Sequence, residues 1–344
     1  MKNQPKTPIS NRGFDAQFLS IAPYSNPLHL DGLIASIDSI RVKFTYRQFY
    51  TDPITDERKD TFTWLLDQLN NTADWLNGAY DVHTTESRFK IGNYAYTVHY
   101  DLQDSSFAVL IGRYTTPNNA VGQPYCKTGR YVYEAVMDFN PNKVSPDVWH
   151  GVMGILSAYS LSCTVQRFDL ALDFPIARND LQLVQRPGSL YHRLVDPKGV
   201  RTEYTGERQH HAAVKLYDKA ADLGLPDSRC TRCELTLVPG KYKSVGDVFP
   251  KILSMAPVEL SLDFSELDFH VQAVILHPDL YDILKASTSP NTFRKYDKQI
   301  REYSRLNSQQ CQTYLELTDD QVQQIDRYVQ QYTTQIITAN QLVR

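Results

Sequence analysis

The segment Val165–Phe174, VQRFDLALDF, constrains the fold more than any other stretch of the chain. Side chains alternate between the two faces of a strand. Phe168, Leu170, Leu172 and Phe174 therefore share an apolar face, and Arg167, Asp169, Ala171 and Asp173 share the opposite one. A strand with one oily and one charged face suits an antiparallel sheet packed on one side. Pro175 ends the run, because it cannot donate to a strand ladder.

Three other segments repeat the pattern. In Tyr131–Phe139, Tyr133, Met137 and Phe139 oppose Glu134 and Asp138. In Ala212–Lys219, Val214 and Leu216 oppose Lys215, Tyr217 and Lys219. In Thr231–Val238, Cys233, Leu235 and Leu237 oppose Arg232, Glu234 and Thr236. Paired in one sheet, these strands would gather Glu134, Asp169, Asp173 and Glu234 beside Tyr217 and several cations. Crowded carboxylates repel unless a cation sits among them, and Mg²⁺ or Mn²⁺ prefers such oxygens. That ion could polarise a phosphodiester, while Arg167, Lys215 and their neighbours held flanking phosphates. A tyrosine hydroxyl is a poor nucleophile at its ordinary pKa of about 10. A metal ion and nearby lysines would favour the phenolate. Solvated strand faces with ordinary surface ion pairs give the same alternation, so periodicity leaves both readings open.

Elsewhere the pattern predicts strands at Ile37–Thr45, Arg88–Tyr100 and Phe107–Tyr114. Helices are expected at Thr61–Asn70, from Ser145-Pro146 to about Ser160, and over a polar helix-like stretch, Asn179–Val195. Thr318 is the expected N-cap of a long helix, Asp319–Leu342, with Val322, Ile325, Val329, Tyr332 and Ile336 on one stripe. The fold class is thus α+β: a mainly antiparallel central sheet flanked by helices, with a helical C-terminal part. The organisation expected is a loose leader over 1–36, a catalytic body over 37–241 and a helical region over 242–344. In that last region Arg294, Lys295, Lys298, Arg301 and Arg305 interleave with Phe293, Tyr296 and Tyr303. Such a helix suits a DNA backbone, though a solvated helix face looks the same. The final helix reads as a packing or dimer element.

Composition narrows the function classes. With 344 residues, 42% hydrophobic and 22% charged, the chain can bury a substantial core. No apolar run reaches membrane-spanning length, and the N-terminus lacks a secretory apolar region, so a cytoplasmic protein without membrane contact is expected. A net charge of −3 argues mildly against a dedicated nucleic-acid module, but phosphates respond to local patches. Five scattered cysteines fit a reducing compartment. Cys230-x-x-Cys233 lacks the second pair a zinc site needs and reads as the start of a strand. No G-x-x-x-x-G-K-[ST] occurs, so unwinding of a duplex would need a partner. His210 and His211 are adjacent, hence on opposite faces of any strand, and do not make a metal pair.

The ordered series Arg167-x-Asp169-x-x-x-Asp173, Tyr217-x-Lys219 and Arg232-x-Glu234 resembles the rolling-circle replication initiators of plasmids and filamentous phages. It is similar to both the Rep_trans plasmid type and the phage replication protein II/X group. Tyr204-Thr205-Gly206-Glu207-Arg208 and Asn140-Pro141-Asn142-Lys143 support the match. The resemblance covers about 130–240 well and 37–130 loosely. It implies a protein that nicks one strand of origin DNA, links a tyrosine to the 5′ phosphate and leaves a 3′ hydroxyl. Carried over by position, Tyr217 is the nucleophile and Asp169 and Glu234 are metal ligands. Glu134 is a further ligand candidate, Asp173 stands behind the ligands, and Lys219 and Arg232 contact phosphate. The resemblance also implies a homodimer and a recruited host helicase. Asp222 departs from the plasmid pattern, where Glu often stands. Tyr204 is a rival nucleophile; Tyr217 is favoured because it shares its face with Lys215 and Lys219. A water-using metal nuclease and a non-catalytic DNA-binding protein are the alternatives.

Overall fold

The computed structural model describes residues 13–21, 26–47, 49–76, 80–86, 94–102, 106–114, 132–184, 190–195, 201–207, 209–225, 227–254, 267–277, 280–310 and 314–341. The chain is α+β, with a principal antiparallel sheet of 11 strands and helices that include a long C-terminal one, as the alternation predicts. Two compact units interleave along the sequence. One comprises Met1–Ala22, Pro27–Ser36 and Leu170–Asp326; the other comprises Pro23–Asn26, Ile37–Asp169 and Arg327–Arg344.

In the Ile37–Asp169 unit the strand Leu33–Arg47, from Ile37 onward, is followed across the sheet by Val132–Phe139, Phe107–Tyr114, Tyr94–Asp101 and Asp81–Glu86. Each is antiparallel to the next. Ile40, Val42, Phe44 and Tyr46 are buried while Arg41 and Lys43 between them are half-buried, which is why this stretch forms a strand. Helix Thr61–Asn70 starts where Asp60 caps it, its carboxylate accepting from the Thr63 amide at 3.0 Å. Pro146–Ser157 carries Trp149 against Phe139, with ring centroids 5.3 Å apart. The Tyr46 hydroxyl donates to the Leu156 carbonyl, and burial pushes that phenol well above its ordinary range.

In the Leu170–Asp326 unit, Tyr191–Val195, Arg201–Thr205, Val214–Asp218 and Thr231–Leu237 form an antiparallel run. A separate sheet joins Leu181–Leu183, Ile252–Ser254 and Tyr314–Leu315. The helix-like expectation for 179–195 is corrected here. After one 3₁₀ turn at Arg178–Asp180, Leu181 and Leu183 are both buried with half-buried Gln182 between them, and the segment pairs as a strand. Sheet partners distant in sequence override the local polar pattern. The strand expected over 212–219 ends at Asp218, which turns the chain into the short helix Lys219–Asp222 by accepting from the Ala221 amide at 2.9 Å. Part of the expected leader is ordered as a helix, Ala16–Ile21, and a strand pair, Leu28–Leu30 with Leu33–Ala35. Residues 1–12 and 22–25 of that leader, 88–93 of the expected Arg88–Tyr100 strand, and Arg208 lie outside the described residues.

Gly206 closes the turn after Arg201–Thr205. Its φ is +81°, and a Cβ there would come 3.1 Å from the Ala213 Cα, so both conformation and space call for glycine. Helices Phe269–Leu276, Tyr281–Ser287 and Pro290–Gln310 share a small core of Val271, Val274, Leu284 and Ile300. The long helix spans Asp319–Gln341. Thr318 and Gln321 form a reciprocal capping box at its start: the Gln321 amide donates to Thr318 Oγ1 at 3.2 Å, and the Thr318 amide to Gln321 Oε1 at 2.9 Å.

Candidate functional site

The register of Val214–Asp218 on Thr231–Leu237 sets Lys215 opposite Glu234 and Tyr217 opposite Arg232. Directly opposed residues share a face, and diagonal neighbours are within reach of long side chains. The Tyr217 hydroxyl accordingly donates to Glu234 Oε1 at 2.7 Å. Lys215 Nζ stands 3.4 Å from Glu234 Oε2 and 3.8 Å from the centre of the Tyr217 ring. A phenol, its carboxylate acceptor and an ammonium thus meet in one half-buried cluster. The ammonium over the ring favours negative charge on the phenol oxygen, the carboxylate opposes it, and the carboxylate is the acceptor placed to receive the phenol proton. Tyr204 is the cross-strand partner of Lys215, so it lies on the same face.

Arg232 shares this face but is in a different setting. Its Nε and Nη2 bind the two carboxylate oxygens of Asp173 at 2.6 and 2.8 Å, with side-chain exposures of 4% and 1%. This is a closed fork-to-fork pair buried from solvent. Glu203, on the opposite face, makes a second buried pair with Arg178 at 2.9 Å and accepts from the Leu183 amide at 2.8 Å. Lys219 Nζ binds Asp222 at 2.5 Å and lies 6.0 Å from the Tyr217 ring centre, farther than Lys215. Burial works to raise the Asp222 carboxyl, but the Lys219 hydrogen bond and the charges of Lys219, Lys215 and Arg232 outweigh it and hold it below the ordinary carboxylate range. Cys230 and Cys233 are buried, and burial drives both thiols far above their ordinary range, which suits core cysteines rather than thiolate ligands.

In the other unit the expected carboxylates also have cationic neighbours. Glu134 accepts from Lys43 Nζ at 3.0 Å. Asp138 accepts from Arg41 Nε at 2.8 Å and from Ser39 at 3.1 Å. Arg167 Nη2 lies 3.6 Å from Asp138 and 3.9 Å from Asp169. Its Nε is buried with no hydrogen-bond partner. Lysine and arginine therefore supply part of the neutralising charge that the sequence assigns to a metal ion. Glu134, Asp169 and Glu234 are partly exposed, each with a cationic neighbour, and no group of three metal-ligating side chains among the described residues includes any of them. Asp173 does not fit as a ligand, because Arg232 occupies both of its oxygens.

Along Pro290–Gln310, Arg294, Lys295, Lys298 and Arg301 are exposed, while Ile300 and Tyr303 are buried. Arg301 is tied to Asp297 at 2.8 Å. Sequence reasoning missed one group: His83, His99 and Asp101, whose ligand atoms lie within 4.8 Å of one another. The available signal was Asp81-x-His83 and His99-x-Asp101, each with strand period two.

No family model and no curated protein matches the chain. Among solved structures it is similar to the rolling circle replication initiator protein from Geobacillus stearothermophilus. The TM-score is 0.33 and the identity 12%, over 60% of this chain and 75% of that one. At that level the likeness assigns no residue a role. No helix among the described residues is long and apolar enough to cross a membrane.

Proposed function

We propose that the chain is a replication-initiator endonuclease that nicks one strand of origin DNA with Tyr217. The observation that supports this most is the Tyr217–Glu234 hydrogen bond, with Lys215 against both partners. In the reaction Glu234 takes the phenol proton and the phenolate oxygen attacks phosphorus. The bond from phosphorus to the 3′ oxygen breaks, and that oxygen leaves as a 3′ hydroxyl after taking a proton from water. The product is a 5′-phosphotyrosine, and reversal of the step rejoins the strand. Lys215 offsets the charge that builds on the phenol and phosphate oxygens.

Mg²⁺ or Mn²⁺ would polarise the phosphodiester when bound. Glu234 is the proposed metal carboxylate beside Tyr217. Asp169 and Glu134 keep that role as proposals to be tested singly. Alanine at Glu234 or Asp169 is expected to remove metal-dependent cleavage of origin DNA by at least about 100-fold, read on a labelled oligonucleotide. Retention of full activity in both variants would discard the metal carboxylates. Arg167 is proposed to hold an adjacent phosphate. Arg232 and Asp173 are proposed to act indirectly, by holding the strand that carries Glu234.

The exposed cations of Pro290–Gln310 are proposed to track the DNA backbone. Lys298→Ala should weaken binding about equally for all sequences and reduce the slope of log affinity against log salt by about one. Arg301→Ala should do less, since Asp297 already engages that guanidinium. An unchanged salt slope in Lys295→Ala/Lys298→Ala would remove the helix from the interface.

A further inference from the structure

We propose that His83, His99 and Asp101 bind one divalent transition-metal ion of the zinc class, at a site that shares no residue with the Tyr217 cluster. The antiparallel register of Asp81–Glu86 on Tyr94–Asp101 places His83 opposite His99 and Asp81 opposite Asp101. All four side chains therefore project from one face. The two imidazoles stack with centroids 4.8 Å apart and planes 13° from parallel. His83 Nδ1 lies 3.6 Å from Asp101 Oδ2 and 3.9 Å from Asp81 Oδ2. Thr85 Oγ1 lies 2.8 Å from His99 Nε2. If Nε2 carries the proton to that hydroxyl, Nδ1 of the same ring is left with its lone pair. Metal-bound histidines are commonly oriented in this way by an outer partner.

The donor set selects the ion. Two imidazole nitrogens and one carboxylate suit Zn²⁺, Co²⁺ or Ni²⁺, whereas Mg²⁺ and Ca²⁺ prefer oxygen-only shells. Zinc–nitrogen bonds of about 2.0 Å require ligand atoms about 3.3 Å apart. The ligand atoms lie within 4.8 Å of one another, so binding would draw them together and turn the two rings out of their parallel stack until their nitrogens converge on the ion. His83 and Asp101, exposed by 44% and 47%, have room for this movement. Three protein ligands leave a fourth position for water or an incoming oxygen, with Asp81 the nearest further carboxylate.

Chelator-stripped full-length chain, titrated with Zn²⁺ by calorimetry without DNA, should take up one equivalent with micromolar or tighter affinity. His83→Ala and His99→Ala should each weaken binding by at least about 100-fold, and Thr85→Val by about 10-fold. His210→Ala should leave it unchanged. Zinc affinity unaltered in both ligand variants would overturn the proposal. X-ray absorption on the unsubstituted, zinc-loaded chain needs no variant: two imidazole scatterers are expected, and an all-oxygen shell would overturn it. Neither readout depends on strand nicking.

Discussion

Tyr217→Phe is expected to abolish the covalent protein–DNA adduct while leaving DNA affinity within about twofold. The substitution removes one oxygen and keeps the ring under Lys215, so the 3.8 Å cation contact and the Lys215–Glu234 ion pair can persist. The nucleophile is lost together with its hydrogen bond to Glu234. Each tenfold in rate corresponds to about 1.4 kcal/mol of barrier, and removal of an attacking group costs several such factors. Adduct formation on origin DNA with Mn²⁺ should fall by at least about 10⁴-fold. Tyr204→Phe should leave it within about twofold. Cleavage that continues in Tyr217→Phe without an adduct would favour attack by water, and an adduct that persists would transfer the nucleophile to another tyrosine.

Arg232→Ala should destabilise the fold rather than disable the chemistry selectively. It leaves Asp173, with 1% of its side chain exposed, as an uncompensated charge in the interior. Breaking one partner of such a pair typically costs about 3–5 kcal/mol. Urea denaturation should show a loss of that size. Replacing both partners with apolar residues of similar volume should recover much of it, since a buried pair often differs little from a well-packed apolar one. A loss below about 1 kcal/mol for Arg232→Ala would mean that the pair is open to solvent and free for phosphate or metal.

The strands that position Tyr217 were legible because one face of each is apolar. Val214, Leu216, Cys233, Leu235 and Leu237 are all buried, and Lys215, Tyr217 and Glu234 stand opposite as alternation requires. Thr318 likewise marked the start of its helix. Alternation cannot distinguish a covered polar face from a wet one. From Leu170 to Phe174 every residue is buried, so Asp173 is enclosed and Arg232 is spent on it. Lys219 left the strand because Asp218 stops it one residue earlier with a side-chain cap. The pairing of Leu181–Leu183 with Ile252–Ser254 and the meeting of His83 with His99 depend on strand register, which no local window contains.

The nucleophile can be identified directly by mapping the adduct. After reaction with origin DNA and Mn²⁺, nuclease trimming and tryptic digestion separate Tyr217 in the peptide Leu216–Lys219 from Tyr204 in Thr202–Arg208. Mass spectrometry should find the residual nucleotide on Leu216–Lys219. A nucleotide on Thr202–Arg208, or cleaved DNA with no modified peptide, would contradict the assignment of Tyr217.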